Sequence, residues 1–291
     1  MTQASAAIGI IGTGRVAQAL GRLLRERGSS VVAVAGRDQA RTVAAARYIG
    51  NCSVASWAEI GQRSGRLLIA VSDDALAEVS AKLAPYATAG SIALHTCGVH
   101  GPEVLASLSA RGVHCGALHP LATVPSPAEG LRTLVGATYG FTGGDAAREW
   151  ATEIVATLDG WLYEVKPSGR ALYHAAASLA CNSIPSLLDA AATMLAGSGA
   201  ADKAEALRLL EPLVRASLDN SFKLGPEAAL TGPARRGDTS TLLLHLKALA
   251  TQDPEIARLY RTLGLCQLAL ARRAGLESEK AGHAEEVLRY E

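Results

Sequence analysis

The sequence predicts an α/β domain of the doubly wound type followed by an all-α domain. Three observations carry that expectation. Short apolar runs alternate with helix-length segments through the first half of the chain. The first run opens directly onto a glycine-spaced turn. Beyond Lys166-Pro167-Ser168-Gly169 the strand signal stops and helical periodicity takes over. The expected boundary therefore lies at 166/167, giving domains 1–166 and 167–291. A chain of 291 residues is long enough for two such domains, each with its own core.

The first element, Ile8 to Ile11, reads as a buried parallel strand. Behind it, Gly12, Gly14 and Ala17 fit the spacing G-x-G-x-x-G/A. The first glycine permits a tight turn, the second lets backbone approach a pyrophosphate, and the small third residue lets helix pack on strand. The helix from Val16 to Arg27 aims its N-terminal amides at the phosphates. Gly28 closes it, and a second apolar run, Val31 to Ala35, follows within the roughly 30 residues of a βαβ unit. This is the Rossmann fingerprint of a dinucleotide site, with Gly12, Thr13, Gly14, Arg15 and Val16 as its phosphate loop. The second strand ends in Gly36-Arg37-Asp38. An acidic residue at that position would hold a ribose 2′-hydroxyl, whereas an arginine meets a 2′-phosphate. Gly36 and Arg37, helped by Arg41, point to NADP(H), with Asp38 as the competing partner for a plain ribose.

Further strands follow at Leu67 to Val71, Ile92 to Leu94, Gly112 to Leu118, Ala137 to Phe141 and Trp161 to Val165. Ligands bind outside the carboxyl ends of such strands. Val71 and Ser72, leading to Asp73-Asp74, and His95, opening His95-Thr96-Cys97-Gly98, are therefore candidate cofactor contacts. His119-Pro120 ends the next strand. His95, Cys97, His100, His114, Cys115 and His119 are residue types that bind zinc, but their spacing matches no established zinc pattern. No metal is expected, and His95 and His119 read as lining the cofactor–substrate cleft.

The helical half begins with Arg170 to Leu195, where Pro185 predicts a kink or local break. Asp202 to Leu224 is amphipathic, Gly225 to Asp238 is a loop, and Thr239 to Ala250, Pro254 to Ala274 and Glu277 to Tyr290 are further helices. A cleft between the two domains would receive the substrate. His174, Ser178 and Asn182, four residues apart, share one helix face beside Tyr173. His174 is the candidate proton donor, since an imidazole of pKa about 6.5 suits acid catalysis near neutrality. Asn182 is a candidate hydrogen-bonding partner for substrate or nicotinamide. The competing interpretation is a satisfied packing network. In Leu230-Thr231-Gly232-Pro233-Ala234-Arg235-Arg236-Gly237-Asp238, Arg236 is the candidate clamp for a substrate carboxylate. Asp238 is either a site residue or the cap of the next helix, which carries His245 on the same side.

Composition narrows the partners. The net charge is +1, and no Lys/Arg run marks a nucleic-acid surface. Met1 to Ala7 has no basic n-region, so neither a signal peptide nor a membrane span is expected. Five cysteines, an odd number without framework spacing, suit a reducing cytoplasm.

Several of these motifs together resemble a known family. Gly12-Thr13-Gly14, Val71-Ser72-Asp73, His95-Thr96-Cys97-Gly98 and His119-Pro120 match in the first half. Tyr173-His174 with Asn182, and Leu230-Thr231-Gly232-Pro233 with Arg236-Gly237-Asp238 and His245, match in the second. The chain resembles the proteins that pair a Rossmann-like domain with the helical domain DUF2520. That resemblance spans almost the whole chain. Cys97 stands where a serine would be expected. The resemblance implies kinship with the β-hydroxyacid dehydrogenase superfamily, which includes 6-phosphogluconate dehydrogenase, pyrroline-5-carboxylate reductase and ketopantoate reductase. It also implies a homodimer formed through the helical domains. In that superfamily a lysine and an asparagine often share one helix; here Asn182 is present and His174 stands where the lysine would be sought. The expected function is an NADPH-dependent oxidoreductase reducing a C=O or C=N group of a small carboxylate. Ketopantoate-like 2-oxo acids are the first substrate class and cyclic imines the second. The alternative is a non-catalytic dinucleotide-binding regulator or scaffold, and a deazaflavin-dependent oxidoreductase is a third possibility.

Overall fold

The computed structural model describes residues 7–199, 202–251 and 253–289. The leader expectation, for residues 1–6, and Tyr290 of the last expected helix lie outside the described residues. The chain divides into two compact units, Met1–Cys181 and Asn182–Glu291.

The first unit is built on an eight-stranded sheet. Its strands are β1 (Ile8–Ile11), β2 (Val31–Ala35), β3 (Ser53–Val54), β4 (Arg66–Ile69), β5 (Ile92–His95), β6 (His114–Pro120), β7 (Thr138–Gly143) and β8 (Trp161–Glu164). Their spatial order is β3-β2-β1-β4-β5-β6-β7-β8, and every neighbouring pair is parallel except β6 with β7. The chain reverses its direction of winding between β1 and β4. That is the switch point at which doubly wound sheets bind ligands. The two-residue β3 escaped the sequence pattern because both its residues are exposed and it shows no apolar run.

Central strands read as continuous apolar runs because both their faces are covered. Ile10, Leu68 and Leu94 pack on one side, and Ile11, Leu67 and Ile69 on the other. At about 1.5–3 kcal/mol per buried side chain, these two layers, rather than the glycine turn, hold the sheet together. The turn nonetheless decides what can follow β1. Gly12 has φ +119°, and a Cβ there would overlap the Ala70 carbonyl oxygen at the end of β4. Only glycine fits both conditions. Helix α1 (Arg15–Glu26) then packs closely through Ala17, Ala19 and Gly21, and α2 (Gln39–Ile49) follows β2.

The secondary structure does change type where the sequence changes pattern: β8 ends at Glu164 and a long helix spans Arg170–Gly197. The compact units, however, part at Cys181/Asn182 rather than at 166/167. The reason is packing. The first turns of the long helix are tied to the sheet through Arg170, only 2% exposed, and Tyr173. Pro185 lies inside this helix and does not break it, and Pro212 likewise lies inside the helix Lys203–Leu224. The helix within Pro167–Gly197 is long and apolar enough to cross a membrane by length and composition: an 18-residue window of it has a mean hydropathy of 1.2, and 11% of that window is buried. The polar residues His174, Ser178 and Asn182 interrupt this apolar run, on which Leu172 and Leu179 are exposed.

The second unit is helical. Asp202 and Asp253 cap the helices Lys203–Leu224 and Pro254–Arg273 by accepting from the Glu205 and Glu255 amides. The expected loop 225–238 contains two one-turn helices, Pro226–Ala229 and Pro233–Arg236. A small core of Leu242, Leu268, Ala281, Ala284 and Leu288 joins the helices Thr239–Leu249, Pro254–Arg273 and Ser278–Arg289.

Candidate active site

Outside the carboxyl ends of β1, β2 and β4 lies a cavity of about 660 Å³, entirely within the first unit. Its floor is the fingerprint turn. Gly14 is the N-cap of α1 with extended backbone and offers no side-chain cap, and the first turn holds no acidic residue. The helix amides are thus left for an anion. A Cβ on Gly14 would meet nothing within 4 Å. This glycine is not required by packing; it leaves a cradle open. Gln18 Nε2 donates to the Thr13 carbonyl at 2.9 Å, and Arg15 Nη1 to the Pro125 carbonyl at 3.1 Å, fixing the two walls of the turn.

At the β2 end, Gly36 is pressed between Thr13 and Thr42, and Arg37 and Arg41 line the cavity. Asp38 Oδ1 accepts from the Arg41 backbone amide at 2.8 Å and caps α2. One carboxylate oxygen is thereby engaged by the helix, while Asp38 itself lines the cavity between Arg37 and Arg41. Trp57 also lines this end, a residue that its sequence neighbourhood gave no reason to select.

Val71, Ser72 and Asp73 continue the lining, followed by Thr96. His95 does not belong to it. It is fully buried, its Nε2 donating to the Gly101 carbonyl at 3.0 Å and its Nδ1 accepting from the Cys97 amide at 3.2 Å. Burial, first of all, pushes its pKa down to about 4. The expected cofactor contact at His95 is therefore corrected: its side chain turns under the sheet end and braces the loop 95–101, while its neighbour Thr96 faces the cavity. Cys97 is buried as well, its thiol accepting from the His100 amide at 3.4 Å and pushed up to about 11 by burial. Among the described residues no cluster of three metal-ligating side chains exists.

His119, at the end of β6, lines the far end of the cavity. Its Nδ1 lies 2.9 Å from the Tyr173 hydroxyl, and its ring meets those of Tyr173 and His174 edge-on, with centroids 5.7 and 5.6 Å away. Two glycines make room for this group. A Cβ on Gly98 would overlap the His174 ring and press on His119 Nε2, and one on Gly140 would overlap the Tyr173 hydroxyl. Beneath them lies Arg170, with Nη1 donating to Thr142 Oγ1 at 2.9 Å and Nη2 to the Cys97 carbonyl at 2.8 Å. Its buried Nε has no partner among the described residues. The guanidinium sits 5.9 Å from the Tyr173 ring. Burial and then the His174 and Arg170 charges push His119 down to about 4, and burial raises Tyr173 to about 12. The sequence named Tyr173 only as a motif neighbour and did not name Gly98, Gly140 or Arg170 for any role. One available signal was Arg170 itself, a lone charge followed by eighteen uncharged residues up to Asp189.

The remaining expected residues lie in the second unit. Asn182 is exposed on the long helix, on the same face as His174 and Ser178. Asp238 caps the helix Thr239–Leu249, accepting from the Thr241 amide at 3.1 Å and from the Thr241 and Ser240 hydroxyls at 2.8 Å. These bonds, led by the Thr241 amide, hold its carboxyl down to about 2. The capping role weighed in the sequence is the one the geometry displays. Arg236 is exposed and lies 3.7 Å from Asp238, while Arg235 donates to the Ala274 carbonyl. His245 Nδ1 pairs with the Tyr260 hydroxyl at 2.6 Å rather than with Asp238.

Comparison with known proteins agrees with this architecture. Residues 1–120 match the Rossmann-like domain and residues 137–266 match a domain of unknown function, DUF2520. A comparison with curated proteins finds no match. Among solved structures, the fold resembles a Bacteroides fragilis protein assigned to the NADP oxidoreductases, with TM-score 0.75 and 22% identity over 91% of this chain and 98% of that one. It also resembles an imine reductase from Pseudomonas sp., with TM-score 0.67 and 18% identity over 96% of each chain. A reductive aminase from Aspergillus terreus, solved with NADPH and ethyl-5-oxohexanoate, gives TM-score 0.61 and 17% identity over 97% of this chain and 92% of that one. The chain thus joins an N-terminal Rossmann-like domain to a C-terminal DUF2520 domain.

Proposed function

We propose that this protein is an NADPH-dependent oxidoreductase that reduces a C=O or C=N group of a small carboxylate, with ketopantoate-like 2-oxo acids first and cyclic imines second. One observation supports this above the others. A single cavity runs from an uncapped helix N-terminus and two arginines at one end to a histidine of displaced pKa at the other. The donors fit the dinucleotide. The turn Gly12–Gly14 and the α1 amides would take the pyrophosphate, and Arg37 with Arg41 the 2′-phosphate, while Asp38 is held by its own helix. Bound NADPH supplies the hydride. The chain's own part is to orient the carbonyl or imine, exclude water and hold a proton at the His119 end. A dinucleotide-binding regulator would have no use for that end, which favours the enzyme over the scaffold. The fold relatives, an NADP oxidoreductase, an imine reductase and a reductive aminase, point the same way. The test is loss of nicotinamide absorbance when NADPH is mixed with the protein and ketopantoate or 1-pyrroline-5-carboxylate. Consumption without added deazaflavin supports the proposal. NADPH binding without consumption across a series of 2-oxo acids and imines would favour the regulator.

The helices also favour a homodimer as the working form. Leu172 and Leu179 are 77% and 72% exposed, and Phe222 is 90% exposed. Apolar surface of this extent on helices calls for a cover, and a second copy carries the matching face by symmetry. Light scattering of the detergent-free protein should return twice the chain mass. A monomer mass, or recovery only with lipid or detergent, would contradict the dimer.

A further inference from the structure

We propose that His119, rather than His174, hands the proton to the substrate, and that it does so as a neutral imidazole relaying a proton from the Tyr173 hydroxyl. The proposal rests on the oxidoreductase function above. Of the two histidines, His119 lines the cavity. Its Nδ1 is engaged by Tyr173 at 2.9 Å, so Nε2 is the ring nitrogen that a ligand would meet. One nitrogen is therefore backed by a hydroxyl and the other is left for a ligand. The arrangement is built rather than incidental, since Gly98 and Gly140 both lack the Cβ that would displace it.

The charges around His119 favour a neutral ring. Facing it are His174, Tyr173 and Arg170 from the long helix, His95 from β5, and Asp73 from the segment after β4. Burial together with the His174 and Arg170 charges outweighs the opposing carboxylate of Asp73, so the ring carries one proton at neutral pH. With Nδ1 accepting from the Tyr173 hydroxyl, that proton sits on Nε2. Neutral imidazole is a competent electrophile toward a carbonyl.

The step then balances. As the substrate carbon accepts a hydride, the C=O or C=N π pair moves onto the heteroatom. The heteroatom takes the Nε2 proton, so the N–H bond breaks and an O–H or N–H bond forms. Nδ1 simultaneously takes the phenolic proton, and the imidazole remains neutral throughout. The phenolate left on Tyr173 is favoured by the Arg170 guanidinium and by a hydrogen bond from the Gly140 backbone, and it takes the Nδ1 proton back as Nε2 gains one from water, which restores the Nε2–H tautomer. His119 is thus the catalytic residue, Tyr173 and Arg170 are positioning residues, and His174 is the wall that holds the His119 ring.

Nitrogen-15 NMR of the histidine-labelled full-length protein, with and without NADPH, tests this without requiring turnover. His119 should appear as the Nε2–H tautomer and should not titrate near the ordinary histidine value of about 6.5. Tyr173→Phe should leave NADPH affinity within about twofold and shift the His119 Nδ1 resonance. It should also lower turnover of whichever 2-oxo acid or imine is consumed by about ten- to hundredfold, and His119→Gln by about 10²–10⁴-fold. An Nδ1–H tautomer, a His119 titration near 6.5, or full turnover in Tyr173→Phe would overturn the relay while leaving the oxidoreductase function standing. Failure of the wild-type protein to bind NADPH would overturn both.

Discussion

The two ends of the cavity are made in different ways. At the phosphate end the geometry is local: Gly12, Gly14 and Ala17 fall within one strand-turn-helix, and their spacing in the chain is their arrangement in space. At the proton end it is assembled. His119 and Tyr173 meet across 54 positions of sequence, and Gly140 reaches them because the antiparallel register of β6 and β7 sets it opposite His119. The first end can be read from a motif. The second exists only once the sheet has formed.

That contrast can be broken most forcefully at the glycines. Gly12→Ala places a Cβ against the Ala70 carbonyl at a backbone angle that alanine rarely adopts. It should therefore abolish soluble folded protein or lower Tm by about 10 °C or more, in keeping with strain plus overpacking. Gly14→Ala meets no protein atom. It should leave Tm within about 2 °C and weaken NADPH at least about tenfold, because the methyl fills the space left for phosphate. Differential scanning calorimetry beside NADPH titration separates the two. If Gly14→Ala destabilised the fold, or left NADPH affinity unchanged, its open cradle would not be a ligand site.

The same contrast explains what the sequence made legible. The apolar strands, the fingerprint, and Arg37 with Arg41 were accessible because each depends on residues near one another in the chain. Asp38 could be named but not placed, since whether its carboxylate reaches a ribose or caps α2 depends on the turn geometry. His95 was misjudged for a related reason. A strand-end histidine can face the ligand or turn under the loop, and only the bonds to Gly101 and Cys97 decide it. The division at Cys181/Asn182 was hidden because the buried Arg170 bonds to Thr142 and Cys97, far away in sequence. An arginine at the head of an alanine-rich helix reads as a solvated end, and here it is the anchor.

Cofactor choice is the most direct test of the account. Arg37 sits at the end of β2 with its competitor Asp38 engaged as a helix cap, so NADPH should be preferred over NADH. Calorimetric titration of wild type and Arg37→Asp with both cofactors reads this out. Wild type should bind NADPH at least about tenfold more tightly than NADH. Arg37→Asp should weaken NADPH by about 1.5–3 kcal/mol, the range for a hydrogen bond to a charged group, and change NADH much less. Equal affinity of the wild-type protein for the two cofactors, or equal losses in the variant, would contradict the assignment of this cavity to NADPH.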